Sequence, residues 1–437
     1  MLQSIRTSRA ATAIALVLTV MPGAAAWSQP APAPAPSYPP GPDYAGVYGS
    51  PEENARVNTL CGANRNAKDG YHVAPAVAGQ TKAPIVKASA AFTVEKVAEL
   101  DRSMAITFLP DGKMLIPQRA GGMRTVDAKG QVSEPLKGAP AIQQSGLSAA
   151  SNVVLDKDFA SNRTLYYGYT APAEGPGKPL IGKIVKAKLS ADDDTALEDL
   201  KTIYEQLDLV PRRIVQARDG TLLIPSAEVA SGGPNPQSMQ NPRGKILRIA
   251  TDGSIPKDNP FLSNKDANPA FYALGFRDIQ GAGLNPATGE LWVAENEPQG
   301  GDELNHIKAG GNYGFPVISY GRENGGGLIN GGKTVQAGME QPVYYWNPSI
   351  APSGMIFYDG KAFPAWKGSV FIGAMSGRQL VRLSIKGGKV VGEEKLLTDR
   401  CKRTKDVSQG PDGLIYVVTD EKPSEILRLV PKKPGIL

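Results

Sequence analysis

One stretch of this 437-residue chain gathers side chains that can do chemistry. Glu295 and Glu297 close an apolar run, Leu291 to Ala294. Asp302 and Glu303 follow directly on Gly300 and Gly301, and Asn312-Tyr313-Gly314 comes shortly after. Carboxylates on a Gly-rich loop are the donors a hard cation such as Ca²⁺ takes, because it collects about six to eight oxygens from side chains and bare carbonyls. Taken singly, the same residues suit a solvated acidic turn. Other chemistries find little support. The chain holds only two histidines, His72 and His306, and no G-x-S-x-G turn. A serine or cysteine hydrolase needs a base beside its nucleophile, and neither histidine is placed to serve one.

The elements that must position these groups are strands. Six segments repeat one pattern, a Gly- or Asp-bearing turn followed by a short β-prone run: Met114–Pro117, Thr164–Tyr169, Thr221–Ile224, Leu291–Ala294, Ser369–Ile372 and Leu414–Val418. Several are followed by a second run carrying an arginine, at Met123–Val126, Ile246–Ile249, Leu380–Leu383 and Ile426–Leu429. Such runs bounded by turn residues are strands. Six irregular units predict an all-β, six-bladed β-propeller, in which radial repetition leaves only short, protected edges. A composition with 49 Gly and 37 Pro suits that many turns.

Residues 1–26 read as a signal peptide. Arg6 and Arg9 precede the apolar run Ala11–Val20, which is too short to span a bilayer comfortably, and small residues at Gly23–Ala26 suit cleavage. Residues 27–42, rich in Pro and Ala, read as a disordered linker. Residues 43–92 form an N-terminal extension with a short helical candidate at Glu52–Leu60, and 93–432 the propeller. The expected location is periplasmic or secreted, with no integral membrane segment in the mature chain. In an oxidising compartment Cys61 and Cys401, the only cysteines, either bridge the extension to the last blade or remain two unrelated buried thiols. The net charge of +6 is spread out, without the basic, aromatic-interleaved patch of a nucleic-acid binder.

The string Glu297-Pro-Gln-Gly-Gly-Asp-Glu-Leu-Asn305, followed by Gly310-Gly-Asn-Tyr-Gly-Phe-Pro316, closely resembles G-P-x-G-G-D-E-[IL]-N…G-x-N-Y-G-[WF]-P. That is the signature of the pyrroloquinoline quinone (PQQ) sugar dehydrogenases, the glucose/sorbosone dehydrogenase family. The likeness runs from about Val94 to Pro431 and includes Phe108–Leu115, Asn241–Arg248 and Ala351–Met355. It implies roles for individual residues. Gln144 sits where the family has an active-site glutamine. Arg277, Gln280, Arg403 and Lys405 fall in A-x-G-x-R-N-x-Q-G and R-x-R-D-V, and with Arg378 would hold the quinone. PQQ is a tricarboxylate, and a guanidinium fork binds carboxylate bidentately. The Glu297 and Pro298 carbonyls align with the pair that holds the Ca²⁺ bridging protein and PQQ. Asp302, Glu303 and Tyr313 align with a structural Ca²⁺ site of some members.

The chain departs from the family pattern at three points. Asp278 replaces the Asn beside the quinone-binding arginine, Glu297 replaces a Gly, and Leu209 stands where H-x-G-G-R has its general-base histidine. Pro211 and Arg212 replace both glycines of that motif. Glu228 aligns with the carboxylate that orients the lost histidine, and it or Asp208 is the remaining candidate base. Two readings therefore stand. One is an exported PQQ-dependent oxidoreductase of an aldose or sorbosone-like sugar, with an external electron acceptor. The other is a catalytically impaired propeller that binds a ligand.

Overall fold

The Asp-Gly turns that mark the repeat work through local hydrogen bonds. Asp111, Asp219 and Asp412 each accept the backbone N–H two residues on, at 3.0, 2.9 and 3.0 Å. The glycine between takes a positive φ of 88°, 87° and 77° in turn, which a residue with a Cβ rarely adopts. Each turn launches the second strand of a sheet. A computed structural model of the chain describes residues 73–86, 90–142, 149–172, 180–228, 236–323 and 326–432.

The described strands form six antiparallel sheets, arranged as a six-bladed β-propeller. The first has β2 (Thr107–Phe108), β3 (Met114–Pro117) and β4 (Met123–Val126). The second has β5 (Ala149–Leu155), β6 (Thr164–Pro172), β7 (Leu180–Leu189) and β8 (Leu197–Leu207). The third runs β9 (Val215–Gln216), β10 (Leu222–Pro225), β11 (Lys245–Ile249) and β12 (Phe271–Leu274). The fourth runs β13 (Asp278–Leu284), β14 (Leu291–Asn296), β15 (Asp302–His306) and β16 (Tyr344–Trp346). The fifth comprises β17 (Pro352–Phe357), β18 (Val370–Ala374), β19 (Gln379–Lys386) and β20 (Lys389–Leu396). The sixth comprises β21 (Thr404–Gln409), β22 (Ile415–Thr419), β23 (Ser424–Pro431) and β1 (Phe92–Leu100). The strands expected after the turns are β3, β6, β10, β14, β18 and β22, and the arginine-bearing runs fall on β4, β11, β19 and β23. β1 completes the last sheet by pairing with β23, Phe92 opposite Pro431, so the first described strand and the last share one blade and the ring is closed.

Apolar clusters fill the space between neighbouring sheets; one joins Tyr166 and Ile184 to Leu222, Leu247 and Phe271. The innermost strands β2, β5, β9, β13, β17 and β21 line the centre. They approach so closely that a Cβ at Gly354 would overlap the Asp406 carboxylate. Four of them carry a register shift: β5 between Ala150 and Val153, β13 between Ile279 and Gly281, β17 between Pro352 and Met355, β21 between Thr404 and Asp406. A bulge re-aims a side chain that regular pairing would turn away.

The described part of the extension, 73–86, lies along the fourth and fifth sheets. Ile85 pairs with Glu393 on β20, and Tyr345 donates its N–H to the Gln80 carbonyl and its hydroxyl to the Val73 carbonyl at 2.7 and 2.8 Å. Cys61, His72, Gln144 and the helical candidate Glu52–Leu60 lie outside the described residues. No helix among the described residues is long and apolar enough to cross a membrane.

Candidate active site

Two of the bulges meet. Gln280 at the β13 bulge and Lys405 at the β21 bulge are both buried, and the Lys405 ammonium nitrogen donates to Gln280 Oε1 at 3.1 Å. The orientation of the Gln280 amide follows from its other neighbour. Its Nε2 donates to both carboxylate oxygens of Asp278, at 3.1 and 3.0 Å, and a carboxylate can only accept. Lys405 is desolvated and flanked by the guanidiniums of Arg213 and Arg212, which push its pKa down to about 8; Asp420 and Asp278 oppose this.

Arginines from the loop before β9 reach across the centre. Arg213 donates to the Gln280 carbonyl at 2.7 Å and to Asp406 Oδ1 at 2.7 Å, and the second oxygen of Asp406 accepts Ile106 N–H at 2.9 Å. Arg212 Nε pairs with Asp278 Oδ1 at 3.0 Å. Burial pushes the Asp278 pKa up, but the charges of Arg212 and Arg277 and the bonds from Gln280 and Arg212 outweigh it, so the carboxyl ends below its ordinary value. Two departures from the family pattern thus answer each other: the arginine that replaces glycine neutralises the aspartate that replaces asparagine. Sequence reasoning treated them separately. Their joint occurrence was the available signal.

Arg277 sits beside this cluster. Its backbone N–H donates to Glu295 Oε2 at 2.7 Å and its Nη1 to the Asn296 carbonyl at 3.1 Å, while its own carbonyl accepts the Glu228 N–H. Arg403 is half-exposed and paired with Asp420 at 3.0 Å; Arg378 donates to the Cys401 carbonyl at 3.0 Å. The structure therefore brings Arg277, Asp278, Gln280 and Lys405 together with Arg212 and Arg213.

Neither candidate base stands open. Glu228 is buried and within electrostatic reach of Lys245, whose pKa falls to about 7 by burial, with Glu228 opposing the fall. Asp208 is paired with Arg243 at 2.7 Å. Leu209, in the place of the family histidine, is fully enclosed with Tyr166, Ile184, Ile214 and Leu222, because an isobutyl side chain gains by joining the inter-sheet core. His306 stacks on Trp292 at 5.3 Å at the end of β15 remote from Asp302.

The acidic loop is buried as a group. Asn305 Nδ2 donates to Glu295 at 2.9 Å and Glu303 at 3.0 Å, and Ser319 Oγ donates to Glu297. Desolvation, then the charge of Glu303, pushes Glu295 and Glu297 well up; burial takes Glu303 to about 8 and Asp302 to about 6. Asp302 already accepts from the backbone of Glu297, Ile350 and Ala351 and from Ser349, so it clamps the loop. The Tyr313 hydroxyl donates to the His306 carbonyl at 2.6 Å.

A cation fits this loop in charge. The amide oxygens of Asn296 and Asn305 are buried without a hydrogen-bond donor. Yet no three His, Cys, Asp or Glu side chains among the described residues are arranged to hold a metal ion, so backbone oxygens such as those of Glu297 and Pro298 would have to complete the shell. An anionic group fits the neighbouring centre, where Arg212, Arg213, Arg277 and Lys405 gather around two buried carboxylates, Asp278 and Asp406.

A six-bladed propeller with a basic centre beside a buried acidic loop defines a class of enzyme scaffold. The chain belongs to the glucose/sorbosone dehydrogenase family, whose model matches residues 100–428. It is 36% identical over 342 residues to the aldose sugar dehydrogenase YliI of Escherichia coli K12, covering 76% of this chain and 91% of the relative. The crystal structure of the soluble aldose sugar dehydrogenase from Escherichia coli, in the apo form, superposes with a TM-score of 0.74 at 35% identity, over 78% of this chain and all of that one. The PQQ-bound aldose sugar dehydrogenase from Streptomyces coelicolor superposes at 0.63 and 25% identity, over 78% and 99%.

Proposed function

We propose that this chain is an exported, PQQ-dependent dehydrogenase of an aldose or sorbosone-like sugar. The observation that carries the reading is the gathering of Arg212, Arg213, Arg277 and Lys405 around two buried carboxylates, Asp278 and Asp406, a basic centre that an anionic ligand would complement. PQQ, when bound, accepts a hydride equivalent from the sugar carbon. The protein's part is to place it. Arg277, Gln280 and Lys405 line the centre, Arg403 and Arg378 stand on the sixth- and fifth-sheet rims, and Gln144 aligns with the family glutamine. Arg212 and Asp278 hold each other, so Asp278 repels an anionic ligand less than a bare carboxylate would. Ca²⁺ is assigned to the Glu297–Pro298 carbonyls, with Glu303 and Asp302 beside them, where it would relieve the crowding of carboxylates. An external acceptor removes the electrons, and the location is periplasmic or secreted.

Titration of the Ca²⁺-loaded protein with PQQ tests this. A bound-quinone spectrum that bleaches on adding sugar is expected. Arg277→Ala should weaken quinone binding by ~1.5–3 kcal/mol, the scale of a charged hydrogen bond. The second reading, a ligand-binding propeller without turnover, draws on the enclosed Leu209 in place of the histidine. A bound spectrum that no sugar bleaches would favour it.

A further inference from the structure

We propose that Lys405 is the general base of this enzyme, taking the proton from the sugar hydroxyl in place of the missing histidine; this rests on the dehydrogenase reading above. The geometry is specific. Lys405 stands at a β-bulge at the start of an innermost strand, which aims its amine into the centre against Gln280. Every carboxylate around it is already engaged by a better partner: Asp278 by Arg212 and Gln280, Asp406 by Arg213 and Ile106 N–H, Asp420 by Arg403. The amine is faced by the guanidiniums of Arg213 and Arg212 and the oxygen of Gln280, with Asp420 and Asp278 acting on it in the opposite sense from within their own ion pairs. Guanidiniums only donate, so they disfavour an ammonium and favour a neutral amine. One N–H then satisfies Gln280 Oε1 and the lone pair is left for a substrate.

The other acid–base groups do not offer this. Glu295 and Glu303 are held by the Asn305 amide and Glu297 by the Ser319 hydroxyl, within the acidic loop and away from the Lys405–Gln280 contact. Among the described residues the one histidine, His306, lies away from the centre, beside Glu290 at 3.2 Å. The matching family position carries arginine, which cannot lose its proton in a protein. A lysine there can, and burial lowers this one to about 8.

The step balances. The C1 hydroxyl of an aldose loses its proton to the Lys405 amine as the C1–H bond breaks and its electron pair leaves as hydride to the o-quinone cofactor. The sugar becomes a lactone, oxidised by two electrons, and Lys405 becomes an ammonium that returns its proton before the next turnover.

Lys405→Arg separates this role from simple attraction of an anion. It keeps the charge and restores the family residue. Quinone binding, read from the bound spectrum, should persist or strengthen, while sugar-dependent bleaching should fall by ~10²–10⁴-fold, the scale of general-base catalysis. In Lys405→Ala, added ethylamine should restore rate in proportion to its free-base fraction, which a structural role would not produce. In apo protein with ¹³Cε-labelled lysine, one signal, absent from Lys405→Arg, should titrate near pH 8 rather than ~10.4. The wild-type rate should rise with pH through the same region. A Lys405→Arg enzyme that keeps its rate and pH profile would overturn the role of Lys405 alone. So would a Lys405 signal that stays charged above pH 10 once quinone is bound. Wild-type protein that takes up no quinone would overturn the dehydrogenase reading as well.

Discussion

Removing the Arg212 guanidinium should expose how strongly the centre depends on its paired substitutions. In Arg212→Ala the Asp278 carboxylate stays buried, keeping the bonds from Gln280 at 3.1 and 3.0 Å and the more distant charge of Arg277. Breaking a buried ion pair on one side costs ~3–5 kcal/mol. The remaining partners put this case at the lower end, about 3 kcal/mol. With a urea m-value of about 3 kcal/mol/M, the midpoint should drop by about 1 M. Adding Asp278→Asn removes the stranded charge, so the double variant should recover most of the loss, a coupling far above the ~0.5 kcal/mol of independent sites. The pH dependence has a definite sign. In the wild type the Asp278 pKa is depressed, so its stabilisation is present above the unfolded value of ~3.9 and fades as pH falls through the folded one. Without Arg212, desolvation dominates and the folded pKa rises above that value. The deficit of Arg212→Ala should therefore be full near pH 8 and shrink on acidification. A loss under about 1 kcal/mol, or one that Asp278→Asn does not relieve, would refute the idea that the two residues compensate each other.

The acidic loop should make the metal-free protein lose stability as pH rises. Asp302 and Glu303 hold their protons to about 6 and about 8 in the fold but release them near ~4 when unfolded, so the loss accrues across that span and is complete above pH 8. Added Ca²⁺ should raise the melting temperature more at pH 8 than at pH 5, and equal shifts at both would argue against a cation in the loop. Leu209→His should destabilise by ~1–3 kcal/mol, because it puts an unsatisfied polar ring among Tyr166, Ile184 and Leu222, and it should not raise turnover; a faster enzyme would show that the position opens to substrate. Mass spectrometry of exported protein should find Cys61 and Cys401 joined, with reduction costing ~2–4 kcal/mol of stability; two free thiols would exclude the staple.

The sheets were legible in the sequence because their signal is local. An aspartate that accepts an N–H two residues on, a glycine at positive φ and a short apolar run occupy adjacent positions, as at Asp219-Gly220 before β10. The candidate site was legible where the long motif around Glu297–Pro316 and the Arg277–Gln280 string held together. The closing role of β1 was not, since its partner β23 lies at the other end of the chain. Nor was the character of the centre. Whether Asp278 repels a ligand depends on Arg212, 66 positions away in sequence, and whether Lys405 is a fixed charge or a base depends on desolvation and on arginines from another sheet. Residue types and turns are written along the chain. Charge states are set by what folding removes from water and what it brings within a few ångströms.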